Sequence, residues 1–102
     1  LAQFPRGILA TVYAELNDNV SDTDLDKAYQ CYADKPLVRF EKQARPAIKN
    51  VVEQPFVDIG WHRQGTQLIA FSAIDNLLKG AASQAIQCVN LQLGLAAEEG
   101  LV

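Results

Sequence analysis

The stretch of residues 75–94, near the end of the chain, constrains the fold most. Its apolar residues recur at spacings of three and four, the pattern of a helix that buries one face. This stripe comprises Leu78, Ala82, Ala85, Val89 and Leu93, and a second apolar edge comprises Leu77, Ala81, Cys88 and Leu95. Asp75 or Asn76 is suited to cap the start, and Gly94 is suited to end the helix in a left-handed turn. The sequence therefore predicts one long helix at 76–94 that needs cover on more than one side.

The opening turns of this helix are unusually small, because Gly80 is followed by two alanines and a serine. A glycine inside a helix costs about 1 kcal/mol relative to alanine, so its presence needs a physical reason. Either another backbone packs closely against this turn, or a flat ligand approaches it. The residues alone leave both alternatives open.

Strict alternation of side chains at 8–16 predicts a strand with one wholly apolar face. Ser21 and Asp24 have the spacing of a capping box, which predicts a helix that ends before Pro36. Its predicted inward stripe consists of Leu25, Ala28, Tyr29 and Tyr32. Residues 37–40 follow as a second strand, and the strand–helix–strand order predicts two parallel neighbours. We expect helices to cover the apolar face of the first strand.

The segment 41–54 lacks a clear period and is broken by Pro46, so we predict mostly irregular structure, with 47–52 as the only candidate for a short edge strand. Residues 56–63 and 67–74 alternate again on either side of Gln64-Gly65, which predicts a hairpin. The order of elements predicts an α+β fold with helices on one face of a mixed sheet.

The chain has 102 residues, 49% of them hydrophobic, which suits one domain with a modest core. A formal net charge of -3 argues against nucleic acid as a partner. No apolar run approaches the ~20 residues that span a bilayer, and no signal peptide is visible, so we expect a cytoplasmic protein without a membrane partner. A start at Leu1 and the absence of Met are typical of a piece of a longer protein.

Three residues have side chains that commonly carry catalysis. Cys31 and Cys88 lie far apart without metal-ligand spacing, which predicts buried, unreactive thiols and no metal site. Neither has a neighbouring base or a helix N-terminus to activate it as a nucleophile. His62, the only histidine, falls on the less apolar face of a predicted strand, where a surface position is favoured over a catalytic one.

Arg6 precedes the first strand and is followed by Gly7. A guanidinium in that position could offer two donors to a carboxylate or phosphate. The alternative is an ordinary charge at a strand end.

Two groups of residues carry a resemblance to known enzymes. The run from Asp75 to Ala82, followed by Gln84-Ala85-Ile86-Gln87, resembles the C-terminal helix shared by N-acetyl-gamma-glutamyl-phosphate reductases and, more distantly, aspartate-semialdehyde dehydrogenases. The stretches Phe4–Tyr13, Lys49–Val52 and Phe56–Gly60 resemble the reductase family of arginine biosynthesis. The resemblance extends from Phe4 to about Leu101.

The resemblance implies that 1–102 is the C-terminal portion of a semialdehyde dehydrogenase dimerisation domain, a fold similar to the C-terminal domain of glyceraldehyde-3-phosphate dehydrogenase. Such an oxidoreductase uses NADP to convert N-acetyl-glutamyl phosphate to its semialdehyde. Its N-terminal NADP-binding Rossmann domain, nucleophilic cysteine and general-base histidine would lie outside this chain, so the chain alone is expected to be inactive. The sheet would mediate association into a homo-oligomer.

The resemblance also implies binding residues, but no catalytic residue, in this chain. Arg6 and Gly7 would border the acyl-phosphate substrate. Asn76, Gly80 and Ala81 would lie near the nicotinamide, where an asparagine amide can bond a carboxamide. Lys79 is expected to be solvated. Two alternatives remain open, namely a non-catalytic dimerisation module and part of an aspartate-semialdehyde dehydrogenase.

Overall fold

A computed structural model describes residues 2–42 and 44–102. Its sheet has four strands in the order β1-β4-β3-β2. The strands are β1 (Ile8–Glu15), β2 (Val38–Lys42), β3 (Val57–Gln64) and β4 (Gln67–Ile74), and the α-helices are α1 (Asp22–Tyr29) and α2 (Ser83–Gln92). The predicted α+β class with a mixed sheet is confirmed. Leu1, and Gln43 within the predicted irregular stretch 41–54, lie outside the described residues.

The strand pairing confirms one prediction and corrects another. β3 and β4 form the predicted hairpin, with Gln64 opposite Gln67. β4 also pairs antiparallel with β1, whereas β2 pairs parallel with β3. The predicted parallel pairing of β1 with β2 is therefore wrong, because the hairpin lies between them. β4 pairs with β1 over all eight residues of β1, whereas β2 has only five residues and could pair with fewer.

Helix α1 begins as its sequence predicts. The Ser21 hydroxyl accepts a hydrogen bond from the Asp24 N–H at 3.1 Å, and the Asp24 carboxylate accepts one from the Ser21 N–H at 2.8 Å. These two bonds satisfy backbone donors that have no partner within the helix. The helix ends at Tyr29, whose ring stacks on Phe40 of β2 with centroids 5.0 Å apart, and a 3-10 turn follows at Gln30–Tyr32.

The buried core is small and lies away from β1. Its apolar members are Leu25, Leu37, Val51, Trp61 and Ala73. Leu25 is the one buried residue of the predicted α1 stripe, while Ala28 and Tyr32 are exposed. All residues of β1 are exposed, and Tyr13 reaches 72%. The expectation that helices cover the apolar face of β1 is wrong, because α1 and its 3-10 turn lie toward β2.

The predicted helix at 76–94 begins with a π turn at Leu78–Ala82 and continues as α2. In this turn the Gly80 N–H bonds the Asp75 carbonyl at 2.9 Å, and the Ala82 N–H bonds the Leu77 carbonyl at 3.0 Å. Each bond spans five residues instead of four. Gly94 follows α2 with φ +72°, which confirms the predicted left-handed end.

The buried side of α2 is not the predicted apolar stripe. Ser83 and Asn90 are its buried residues, while the stripe members Val89 and Leu93 are exposed. The Asn90 amide donates to the carbonyls of Ala97 and Glu99, so this face holds the C-terminal turns. The π turn winds more widely than the predicted α-helix, and a regular apolar period does not predict such a turn.

Both cysteines are exposed, so the prediction of buried thiols is wrong. Cys88 lies on the uncovered side of α2, and Cys31 belongs to the 3-10 turn after α1. Over 2–42 and 44–102, no helix is both long and apolar enough to cross a membrane.

Candidate functional site

The candidate site lies where β4 ends beside the segment that enters β1. The antiparallel register places Ile8 opposite Ile74, so the residues before Ile8 run alongside those after Ile74. Five residues meet here through hydrogen bonds, and we call them the Asp75 cluster: Arg6, Gly7, Glu53, Asp75 and Asn76.

The Asp75 carboxylate is the centre of the cluster and is fully buried, with 0% of the residue exposed. Its Oδ2 accepts hydrogen bonds from Arg6 Nη2 at 2.5 Å and from the Glu53 N–H at 2.7 Å. Its Oδ1 accepts from the N–H groups of Leu77 at 2.8 Å and Leu78 at 3.0 Å. A buried charge is tolerated when it is paired and hydrogen-bonded, and four donors meet that condition here.

These donors also determine the protonation state of the cluster. Burial by itself raises the pKa of Asp75, but hydrogen bonds from the Glu53 N–H, the Arg6 guanidinium and the start of the π turn outweigh it. The net result is a pKa of Asp75 well below its ordinary value. Asp75 is therefore an anion at neutral pH, and it caps the π turn as the sequence indicated.

Gly7 and Asn76 make the second link between the two segments. The Gly7 N–H donates to Asn76 Oδ1 at 2.7 Å. Gly7 has φ +101°, and a β-carbon there would overlap the side chain of Ile48. Glycine is thus required at this position both for its backbone conformation and for space.

The structure brings together residues that the resemblance assigns to two different ligands. Arg6 and Gly7, expected on the substrate side, contact Asp75 and Asn76 directly. Asn76 was expected on the cofactor side. Its amide oxygen is occupied by Gly7, and within the described part of the chain its amide nitrogen donates to no other group. That nitrogen is suited to bond a carboxamide oxygen.

Gly80 and Ala81 lie in the adjoining π turn and are both exposed. A β-carbon on Gly80 would lie 3.3 Å from the Asp75 carbonyl oxygen and 3.4 Å from Ile74 Cδ1. The neighbouring Asp75 carbonyl is the acceptor of the Gly80 N–H within the π turn itself, so a side chain at this position would crowd the turn's own backbone.

The Arg6 side chain is 31% exposed and uses only Nη2 to bond Asp75. A guanidinium carries five N–H donors, so most of its binding capacity remains. Its Nε is buried and meets no acceptor among the described residues. The exposed edge of the group can thus accept an anion while the other edge is held by the protein.

Lys79 differs from its expected solvated state. Its Nζ donates to Gln87 Oε1 at 2.5 Å, and partial burial lowers the pKa of its amine. Lys79 therefore ties the π turn to α2. Cys31, Cys88 and His62 form none of the hydrogen bonds of the Asp75 cluster, and His62 lies half-buried on β3 opposite Ile69.

Sequence reasoning missed two features of the cluster. It treated Asp75 only as a helix cap, although the Asp-Asn pair directly before a helix did mark the position. It gave no role to Glu53, which adopts φ +62° and directs its N–H to Asp75. No local pattern predicts that conformation in a glutamate, because it is uncommon outside glycine.

Comparison with known proteins identifies the family of this chain. The family model described as semialdehyde dehydrogenase, dimerisation domain, matches residues 1–76. The chain is 93% identical over its whole length to an N-acetyl-gamma-glutamyl-phosphate reductase of Idiomarina loihiensis and covers 30% of that protein. It is 48% identical to the reductase of the same name in Aeromonas salmonicida, and 50% identical to the one in Escherichia coli, again over the whole chain and 30% and 31% of those proteins.

The chain thus spans about a third of the length of the curated relatives that it matches. The family model covers most of the chain, including β1 to β4 and the Asp75 cluster. The chain belongs to the semialdehyde dehydrogenase dimerisation-domain family.

Proposed function

We propose that this chain is the C-terminal part of an NADPH-dependent reductase that converts N-acetyl-glutamyl phosphate to N-acetyl-glutamate semialdehyde in the cytoplasm. The names of its relatives support this activity. The observation that carries the proposal is the Asp75 cluster, in which a partly exposed arginine and an asparagine amide are joined through neighbouring residues. We call the longer protein the full-length parent.

Arg6 and Gly7 form the substrate side in this proposal. The free edge of the Arg6 guanidinium suits the phosphate or carboxylate of an acyl phosphate, because arginine binds such groups through two donors. Gly7 holds the backbone that carries Arg6 against Asn76. These residues bind and orient the substrate and transfer no proton.

Asn76, Gly80 and Ala81 form the cofactor side. The Asn76 amide nitrogen would donate to the carboxamide of the nicotinamide, and the small residues of the π turn would leave room for its ring. The hydride for the reduction comes from NADPH when it is bound. The covalent nucleophile and the dinucleotide-binding fold would belong to the rest of the parent.

A pair of variants separates the two roles of Gly80. Gly80→Ala and Gly80→Val place the same β-carbon against the Asp75 carbonyl, so their shared loss of stability reports packing. If the nicotinamide lies against this turn, only the valine variant of the parent should show a large further rise in KM for NADPH. Equal KM values in the two variants would leave Gly80 with a packing role alone.

The proposed reaction is tested with the full-length parent. NADPH oxidation should require N-acetyl-glutamyl phosphate and should be much slower with aspartyl phosphate. A preference for aspartyl phosphate would favour an aspartate-semialdehyde dehydrogenase, and no turnover of either would favour a non-catalytic dimerisation module. The 102-residue chain alone should oxidise no NADPH, since it would lack the nucleophile; turnover by this chain would contradict the division of roles.

We also propose that the sheet associates with a second copy. On one face of β1, Leu9, Thr11 and Tyr13 are exposed, beside Ile69 and Phe71 of β4. An exposed apolar strand face is typical of an interface, and the matching family is a dimerisation domain. Sedimentation equilibrium of the parent should show a dimer that Tyr13→Asp weakens. Tyr32→Asp, an equally drastic change at an exposed tyrosine on the 3-10 turn, is the matched control and should leave the dimer intact.

The outer side of the π turn and α2 would face the NADP-binding domain of the parent. Exposure of Leu77, Ala81 and Cys88 in this chain supports that proposal. Cys88 offers a direct readout: its thiol should react with a maleimide in the 102-residue chain and should be protected in the parent. Cys31 is the internal control, and equal labelling of Cys88 in both proteins would contradict the assignment.

A further inference from the structure

Three segments that are distant in sequence meet at one buried carboxylate. Asp75 accepts hydrogen bonds from Arg6, which lies 69 residues away, and from the backbone of Glu53, which lies 22 residues away. It also bonds the first N–H groups of the π turn. A helix cap needs only the last of these contacts. The other two therefore call for a separate explanation.

Asp75 determines where the exposed edge of Arg6 points. Within the described residues, the Arg6 side chain bonds no acceptor other than Asp75 Oδ2. A long side chain held at one end of its guanidinium keeps one orientation only while that contact persists. Removing the carboxylate would free Arg6 to sample other rotamers.

Asp75 also relates Arg6 to Asn76. Asp75 and Asn76 are adjacent in sequence. Asn76 accepts a hydrogen bond from the N–H of Gly7, the residue after Arg6. Arg6-Gly7 and Asp75-Asn76 therefore form two parallel links at 2.5 Å and 2.7 Å. A shift of Asp75 would change the separation between the guanidinium and the Asn76 amide.

The backbone of Glu53 supports the same conclusion. A non-glycine residue with φ +62° is uncommon, because a side chain with a β-carbon is strained in this backbone conformation. In this conformation the Glu53 N–H reaches Asp75 Oδ2, the oxygen that also holds Arg6. The strained turn thus fixes the oxygen that orients the arginine.

We propose that Asp75 is a positioning residue, which orients Arg6 toward the anionic group of the substrate and fixes its distance from Asn76. The inference rests on the proposed reductase function, in which Arg6 binds the acyl phosphate and Asn76 the nicotinamide. Asp75 itself is buried and touches neither.

A double-mutant cycle in the full-length parent tests this role. Asp75→Asn keeps the size of the side chain but removes its charge, so KM for the acyl phosphate should rise about tenfold, the effect of one lost charge-assisted hydrogen bond. In an Arg6→Ala background the same change should alter KM less than about twofold, because the group that Asp75 positions is gone. Asp58→Asn, which breaks the Arg39–Asp58 pair elsewhere in the sheet, is the matched control and should leave KM unchanged.

The outcomes separate this inference from the proposed function. If the wild-type parent reduces no acyl phosphate, the proposed function fails. If the parent is active and the effects of Asp75→Asn and Arg6→Ala on KM simply multiply, Asp75 is only structural and the inference is overturned. Should Asp75→Asn fail to fold, Asp75→Glu keeps the charge and displaces the carboxylate by one methylene; it should raise KM with Arg6 present and not with Arg6→Ala, and equal effects would overturn the inference.

Discussion

Two arginine–aspartate ion pairs, Arg6–Asp75 and Arg39–Asp58, have the same N–O distance but differ in how exposed they are. Arg6 Nη2 lies 2.5 Å from Asp75 Oδ2, and Arg39 Nε lies 2.5 Å from Asp58 Oδ1. The Asp75 side chain is 0% exposed, whereas Asp58 is 16% and Arg39 is 42% exposed. Distance alone therefore does not distinguish a pair with a buried carboxylate from a more exposed one.

The arginines differ in how much of their binding capacity is used. Arg39 also donates to Gln54 Oε1 and to the Asn50 carbonyl, and its guanidinium lies 4.7 Å from the centre of the Phe56 ring. All three nitrogens of the Arg39 guanidinium therefore donate hydrogen bonds, two of them to the loop between β2 and β3. Arg6 uses one nitrogen and keeps an exposed edge. The pair with the buried carboxylate and the less occupied arginine is the one beside Asn76.

The largest expected effect is loss of stability on removal of Asp75. Asp75→Ala leaves the N–H groups of Glu53, Leu77 and Leu78 without their acceptor and Arg6 without its counter-ion. Breaking a buried ion pair costs about 3–5 kcal/mol, so the free energy of unfolding should fall by about 3 kcal/mol or more. Urea unfolding of the 102-residue chain measures this. A loss below about 1 kcal/mol would show that the two pairs are equivalent.

Acid should gradually remove the contribution of the ionised Asp75 carboxylate to the free energy of unfolding. Because the pKa of Asp75 is lowered by folding, the unfolded chain binds a proton more readily, and stability falls as the pH drops below the ordinary value of 3.8. Above that pH the contribution is fully present. The stability difference between wild type and Asp75→Asn should therefore be constant at pH 5 to 7 and narrow below about pH 4. A difference that stays constant in urea melts down to pH 2 would contradict the assignment.

Gly7→Ala should have an intermediate effect. The variant forces alanine into φ +101° and against Ile48, so we expect a loss of about 2 kcal/mol. Gly65→Ala is the matched control: Gly65 also has positive φ, at +60°, but a β-carbon there meets nothing within 4 Å. Thermal melts should show the larger loss for Gly7. Equal losses would mean that backbone conformation, not the contact with Ile48, accounts for the glycine.

Asp58→Ala should have the smallest effect. Partly exposed ion pairs contribute about 0.2–1 kcal/mol, and Arg39 keeps its bonds to Gln54 and Asn50. The loss should shrink further in high salt, because salt screens exposed charges. A loss as large as that of Asp75→Ala, or one insensitive to salt, would contradict the distinction drawn between the pairs.

Local features of the fold could be predicted from the sequence. The Ser21–Asp24 capping box, the turn at Gly65 and the end of α2 at Gly94 each depend on a few adjacent residues, and all three are observed. Their physical causes are short-range hydrogen bonds and backbone preferences, which adjacent residues determine directly.

Non-local features could not be predicted in the same way. A strand–helix–strand order fits a parallel crossover, yet β1 pairs with β4, because the later hairpin offers it a longer partner. The π turn is formed by backbone hydrogen bonds between residues five apart, and the spacing of apolar residues does not predict them. In the same way, resemblance marked Arg6, Gly7 and Asn76 separately, but only the β1–β4 register brings them together around Asp75.

Substrate kinetics of two arginine variants test the central claim, that Arg6 of the Asp75 cluster binds the acyl phosphate in the proposed reductase. In the full-length parent, Arg6→Ala should raise KM for N-acetyl-glutamyl phosphate at least about tenfold, since charge-assisted hydrogen bonds contribute about 1.5–3 kcal/mol. Arg39→Ala should change KM less than about twofold while lowering the melting temperature. An unchanged KM in Arg6→Ala, or an equal rise in both variants, would contradict the account.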